Sequence, residues 1–126
     1  MPKNILVVDD DPHIQDLVSH FLEPQGFIIS VCGDGYAAAE IIGKNTFDLI
    51  ILDISMPYIN GIQTLSRIRS ETKTKDVPVM LLTVDNDLDT VMRAKRFGAT
   101  EYVIKPPQSA DLIARVERIL NRKKIA

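Results

Sequence analysis

Five short apolar runs rich in Ile, Val and Leu constrain this chain more than any other feature. They occupy residues 5–8, 27–31, 49–52, 79–82 and 102–104. Continuous apolar runs this short suit strands buried on both faces. The segments between them carry helical spacing. Ile14, Leu17, Val18, Phe21 and Leu22 form one apolar stripe. Asp11 is placed to cap that helix, Pro12 fits its first position, and Pro24 and Gly26 end it. An Ala-rich helix over 35–42 follows Asp34 as cap. Ile62, Leu65 and Ile68 mark a third helix after Asn60-Gly61. Leu88, Val91 and Met92 mark a fourth, closing at Gly98. Ser109 is expected to cap a fifth, with Leu112, Ile113, Val116, Ile119 and Leu120 on its buried side.

Five repeats of strand then helix call for an α/β doubly wound five-stranded parallel sheet, with helices on both faces. Right-handed crossovers leave few topologies. A length of 126 residues with 45% hydrophobic content fits one domain with a real core. That domain is expected to span 1–126, with a core over about 3–121 and residues 122–126 as a basic tail or the start of a linker. No apolar run reaches the roughly 20 residues of a membrane span. The N-terminus does not read as a signal peptide, so the expected location is the cytoplasm. Cys32 stands alone and reads as a small core residue. Residues 1–60 hold nine acids and two bases, whereas residues 61–126 hold eight acids and thirteen bases. That asymmetry calls for a mechanism.

In open parallel sheets, ligands bind outside the carboxyl ends of the strands. Strand one is followed by Asp9, Asp10 and Asp11, strand three by Asp53, strand four by Thr83 and then Asp85, and strand five by Lys105-Pro106-Pro107. Carboxylates brought to one sheet edge repel one another unless a cation is present. Hard oxygen ligands with few His or Cys suit Mg²⁺. A lysine and a threonine hydroxyl beside such a cation complement a phosphoryl group. Taken singly, each residue has a plainer reading: Asp11 as a cap, Asp9 or Asp10 as turn residues, Thr83 as a strand residue, Lys105 as solvated charge. Their joint appearance after strands one, three, four and five is what packing does not explain.

These segments resemble the response-regulator receiver domain of two-component signalling, including the chemotaxis regulators. The matching pieces are the stretch 5–12 (ILVVDDDP), 52–57 (LDISMP), Asn60-Gly61, Leu82-Thr83, Gly98-Ala99 and 102–106 (YVIKP). The resemblance implies a flavodoxin-like fold with strand order 2-1-3-4-5. It implies that Asp53 accepts a phosphoryl group from a phosphohistidine on a sensor histidine kinase or phosphotransfer protein of a phosphorelay. Asp10 would bind Mg²⁺ directly, Asp9 through water or by shaping the site, with Asp53 and the backbone carbonyl of Ser55 as further ligands. Thr83 would hydrogen-bond the phosphoryl oxygen and Lys105 would pair with it, with a cis Lys105–Pro106 bond. Tyr102 would turn inward as Thr83 moves. The domain would assist its own phosphorylation and dephosphorylation without being an enzyme of other substrates.

Some positions depart from the family pattern. Val84 stands where a small residue is usual, so access to the site is expected to be slower than with alanine. Ser55 and Asp85 line the water's approach in the family and would tune the phosphorylated lifetime. Pro107 replaces a common aromatic. Arg93, Lys95, Arg96, Arg115 and Arg118 fall on helices four and five, with Glu101 on the strand between. Two readings of these charges stay open: a phosphorylation-favoured homodimer through helix 4, strand 5 and helix 5, as in one transcriptional subfamily, or solvated surface charge. Arg122-Lys123-Lys124 is too short a basic run for direct nucleic-acid binding. His13 and His20 read as surface residues. A haloacid-dehalogenase-type phosphohydrolase would need a second Asp where Ser55 stands. A flavin module would need a phosphate loop where this chain has aspartates.

Overall fold

The structure is a computed structural model that describes residues 2–54, 61–84 and 88–121. Its strands are β1 (Asn4–Val8), β2 (Ile28–Cys32), β3 (Leu49–Asp53), β4 (Val79–Thr83) and β5 (Glu101–Ile104). The helices α1 (Pro12–Leu22), α2 (Gly35–Lys44), α3 (Gly61–Ser70), α4 (Leu88–Arg96) and α5 (Ser109–Asn121) alternate with them. All pairings are parallel, in the order β2-β1-β3-β4-β5. The expected fold and strand order are therefore borne out.

Period-two alternation along each strand divides the core into two layers. Ile5, Val7, Leu49, Ile51, Met80, Leu82 and Val103 pack against α1 and α5 residues such as Val18, Leu112 and Val116. Leu6, Val8, Ile50, Leu52, Val79 and Leu81 face Ala38, Ile42, Leu65, Ile68 and Ala94 from α2, α3 and α4. The central strands β3 and β4 are buried at every position, which is why their sequences are uninterrupted apolar runs.

The edge strands differ from expectation. β2 begins at Ile28, not Phe27, and exposes Ile28 and Val31; on β5, Ile104 is exposed. An edge strand has a neighbour on one side only, so its run reads apolar without being fully covered. Cys32 is accordingly half-buried against the α2 side, not a core residue. On α4, Val91 and Ala94 form the buried face, whereas Met92 is exposed. Ser109 is the first helical residue of α5; the Leu112 N–H donates to the Gln108 carbonyl, so Gln108 takes the cap position. The other caps stand as read. Asp11 accepts from the His13 N–H at 2.9 Å, and Asp34 from the Ala37 N–H at 2.8 Å. Gly26 adopts φ +94 after a short 3-10 turn, Glu23–Gln25. Among the described residues no helix is long and apolar enough to cross a membrane.

Candidate functional site

The parallel register carries the polar strand ends to one edge. Val8 of β1 lies level with Cys32 and Leu52, Asp53 with Leu82, and Thr83 with Ile104. Backbone bonds hold the exits in line: Asp9 N–H to Cys32 O at 3.0 Å, Ile54 N–H to Leu82 O at 3.2 Å, and Lys105 N–H to Thr83 O at 2.7 Å. Asp53 and Thr83 are the last residues of their strands, which run one position beyond the apolar runs 49–52 and 79–82.

This edge buries charge. Asp9 is fully buried, Asp53 is 2% exposed and Thr83 is 1% exposed, whereas Asp10 is exposed. One carboxylate oxygen from each of Asp9, Asp10 and Asp53 lies within 4.8 Å of the others. Lys105 Nζ reaches Asp9 Oδ2 at 2.8 Å and Asp53 Oδ2 at 3.3 Å. Burial pulls the Lys105 ammonium's pKa down. Its close contact with the Asp9 carboxylate and the charge of Asp53 outweigh it, and the net shift is upward from the ordinary lysine value.

The second oxygen of Asp9, Oδ1, accepts from the Asp11 N–H at 2.9 Å. Oδ2 has the Lys105 ammonium as ion-pair partner but no well-aligned hydrogen bond. A fully buried carboxylate oxygen without an aligned donor, beside two further carboxylates, fits a hard divalent cation. Three carboxylates against one ammonium leave the site with excess negative charge, which the same cation would offset. The donor set is all oxygen, which suits Mg²⁺ and disfavours the softer transition metals.

Glycine shapes the same corner. A Cβ on Gly61 would lie 2.5 Å from the Asp53 carbonyl oxygen and collide with Ile54 Cα, while its N–H donates to Ile54 O at 3.1 Å. Only glycine lets the start of α3 press this closely on the end of β3. The Lys105–Pro106 peptide bond is cis. Val84, beside Thr83, is 69% exposed at the rim. Tyr102 is half-buried against the α2–α4 layer. Ser55, Asp85 and the run 122–124 lie outside the described residues. His13 and His20 are exposed, as expected.

The sequence reading missed two polar devices. Gln15 Nε2 donates to the backbone carbonyls of Asp9, at 2.6 Å, and Cys32, at 3.3 Å. Arg69 donates to the carbonyls of Gly98, Thr74 and Val77. Each flanks an apolar helical stripe, and a polar residue in that place carries no periodic signal of its own. Between β5 and α5, Glu101 Oε1 pairs with Arg115 and Arg118 of the same chain, both at 2.6 Å.

Comparison with known proteins agrees with this geometry. The family model "Response regulator receiver domain" matches residues 5–117. The regulatory protein VanRc of Enterococcus gallinarum is 41% identical over 97% of this chain and 52% of its own length. The transcriptional regulatory protein CpxR of Escherichia coli is 39% identical over 94% of this chain and 49% of its own. The chain thus spans about half the length of the curated relatives it matches. The chemotaxis response regulator CheY4 of Vibrio cholerae superposes with a TM-score of 0.90 at 30% identity, covering 95% of this chain and 100% of that one. The chain belongs to the response-regulator receiver family of two-component signalling, whose general function is to accept a phosphoryl group.

Proposed function

We propose that this domain receives a phosphoryl group on Asp53 from a phosphohistidine of a sensor histidine kinase or phosphotransfer protein. The observation that supports it most is the convergence of buried Asp53, Asp9 and Thr83 with the part-buried Lys105 at one sheet edge. A carboxylate oxygen of Asp53 attacks phosphorus in line. The P–N bond to the histidine breaks, and the imidazole keeps the electron pair. Lys105 stands beside the attacking carboxylate and balances charge on the transferring group. The Thr83 hydroxyl, at the end of the next strand, would bond a phosphoryl oxygen afterwards. Asp10, Asp9, Asp53 and the Ser55 carbonyl would hold Mg²⁺, which supplies charge neutralisation and orientation when bound. Hydrolysis of the acyl phosphate reverses the state, with Val84, Ser55 and Asp85 as the positions tuning access. Transfer of labelled phosphoryl from a phosphorylated histidine kinase to this protein, but not to Asp53→Asn, tests the reading.

The added charge at Asp53 then biases the Thr83 strand end and Tyr102. The face that would carry this outward is α4, β5 and α5. In it Glu101 is bonded to Arg115 and Arg118 within one chain. A homodimer through this face would exchange those pairs for pairs across two copies. The domain would act in the cytoplasm, within a longer regulator whose output lies beyond this segment. Nucleic-acid contact would belong to that output and not to this domain.

A further inference from the structure

We infer that Gln15 is a positioning residue for the acidic cluster, setting its cation affinity from outside the ligand set. This rests on the Mg²⁺-dependent site proposed above. The chain leaves β1 through Asp9 and Asp10, which must turn sharply to enter α1 at Pro12. A turn bearing two like charges has no intrinsic reason to keep both aimed at Asp53. Three bonds fix it. The Asp9 N–H is tied to Cys32 O, and Asp9 Oδ1 is tied to the Asp11 N–H. The third is the Gln15 amide, whose nitrogen lies 2.6 Å from Asp9 O and 3.3 Å from Cys32 O. Both partners are carbonyls, so the group facing them must be the NH₂ end of the side chain.

Gln15 is itself held on α1, where its N–H donates to Asp11 O at 3.1 Å. One side chain therefore spans the ends of β1 and β2 and the first turn of α1. Asp9 is the common member, and its peptide leads directly into Asp10. Removing the amide frees the carbonyl between the two acids, so the carboxylates reach the cation at greater entropic cost. Gln15 touches no reacting atom and acts only through Asp9 and Asp10.

The test compares parent, Gln15→Met and Gln15→Arg in Mg²⁺ binding by calorimetry and in thermal unfolding without Mg²⁺. Methionine keeps the size and removes the donors; arginine restores donors on a longer stem. Asp48→Asn serves as a control, since Asp48 accepts from the Asn4 N–H at the far end of β1. Expected are Mg²⁺ affinity weakened roughly tenfold in Gln15→Met, by the usual effect of losing an outer partner of a metal site. Gln15→Arg is expected near the parent, and Asp48→Asn unchanged in affinity despite lower stability. Parent-like binding by Gln15→Met overturns the inference, as does equal weakening by Asp48→Asn or by Gln15→Arg. If the parent itself takes no Mg²⁺, the proposed site falls and this inference with it, so the two failures are distinguishable.

Discussion

The ammonium of Lys105, at the end of β5, lies 2.8 Å from Asp9 Oδ2, at the end of β1. The two residues stand on strands separated by β3 and β4. Only the side chain's reach across the sheet edge joins them. Asp53, on β3, sits inside that span at 3.3 Å from the same nitrogen. One cation therefore serves two buried carboxylates, with Asp10 close beside them. The excess negative charge has a direct consequence for stability.

Without Mg²⁺, three clustered carboxylates facing one ammonium are expected to work against folding. Asp53→Asn is expected to stabilise the metal-free protein by about 1–2 kcal/mol, as removal of functional-site strain commonly does. Mg²⁺ is expected to raise the melting temperature of the parent, and the same substitution to shrink that gain. Thermal unfolding of both proteins with and without Mg²⁺ checks this. A destabilised Asn variant would show that the cluster is already neutralised by Lys105 alone.

Val84 projects from the rim beside Thr83. Truncation to alanine removes two methyl groups from the approach to Asp53. Val84→Ala is expected to be phosphorylated by a small donor, and to lose the phosphoryl group, severalfold faster than the parent. Equal rates in both directions would assign Val84 no part in access.

Cys32 titrates as a covered thiol. Burial first, and the charge of Asp34 second, push its pKa up to about 11. A thiol raised in the folded state favours folding fully below the ordinary value of about 8.5, and that contribution is lost as pH rises toward the folded value. At pH 8 a disulfide reagent is therefore expected to modify the native protein on the order of a hundredfold more slowly than the urea-unfolded chain. The gap should close as pH approaches the folded pKa. Equal rates at pH 8 would place the thiol in solvent.

Arg69 fastens the opposite end of the sheet. Its guanidinium bonds Gly98 O at 2.8 and 3.0 Å and Val77 O at 2.6 Å, joining α3 to the turns that lead into β4 and β5. Gly98 has φ +97, and a Cβ there would lie 2.7 Å from Arg69 Nε. Arg69→Met leaves these carbonyls without their charged donor. It is expected to cost about 3 kcal/mol, read by urea denaturation. Because these turns lie away from the carboxyl ends of the strands, phosphoryl acceptance by the folded fraction is expected to stay unchanged.

Much of this is legible in the amino-acid sequence. The uninterrupted run at 49–52 announced a central strand because both faces of β3 are covered. The run at 27–31 was equally apolar, yet β2 lies at the edge and leaves Ile28 and Val31 exposed. Position in the sheet is set by crossovers, not by local composition. Asp9, Asp10 and Asp53 were legible because charge at the end of an apolar strand is costly without a purpose. Gln15 and Arg69 were not, because they bond to backbone carbonyls, which every residue has. The acidic first half is partly this site. In the basic second half Lys105 belongs to the site, Arg69 to the turns before β4 and β5, and Arg93, Lys95, Arg96 and Arg118 to exposed positions on α4 and α5.

The most direct measurement locates the phosphoryl group. The protein is incubated with acetyl phosphate and Mg²⁺, reduced with borohydride to convert any aspartyl phosphate to homoserine, and mapped by peptide mass spectrometry. Homoserine is expected at position 53 alone, dependent on Mg²⁺ and absent from Asp53→Asn. Homoserine at Asp9 or Asp10, or none at any position while the protein remains folded, would contradict the role given to Asp53.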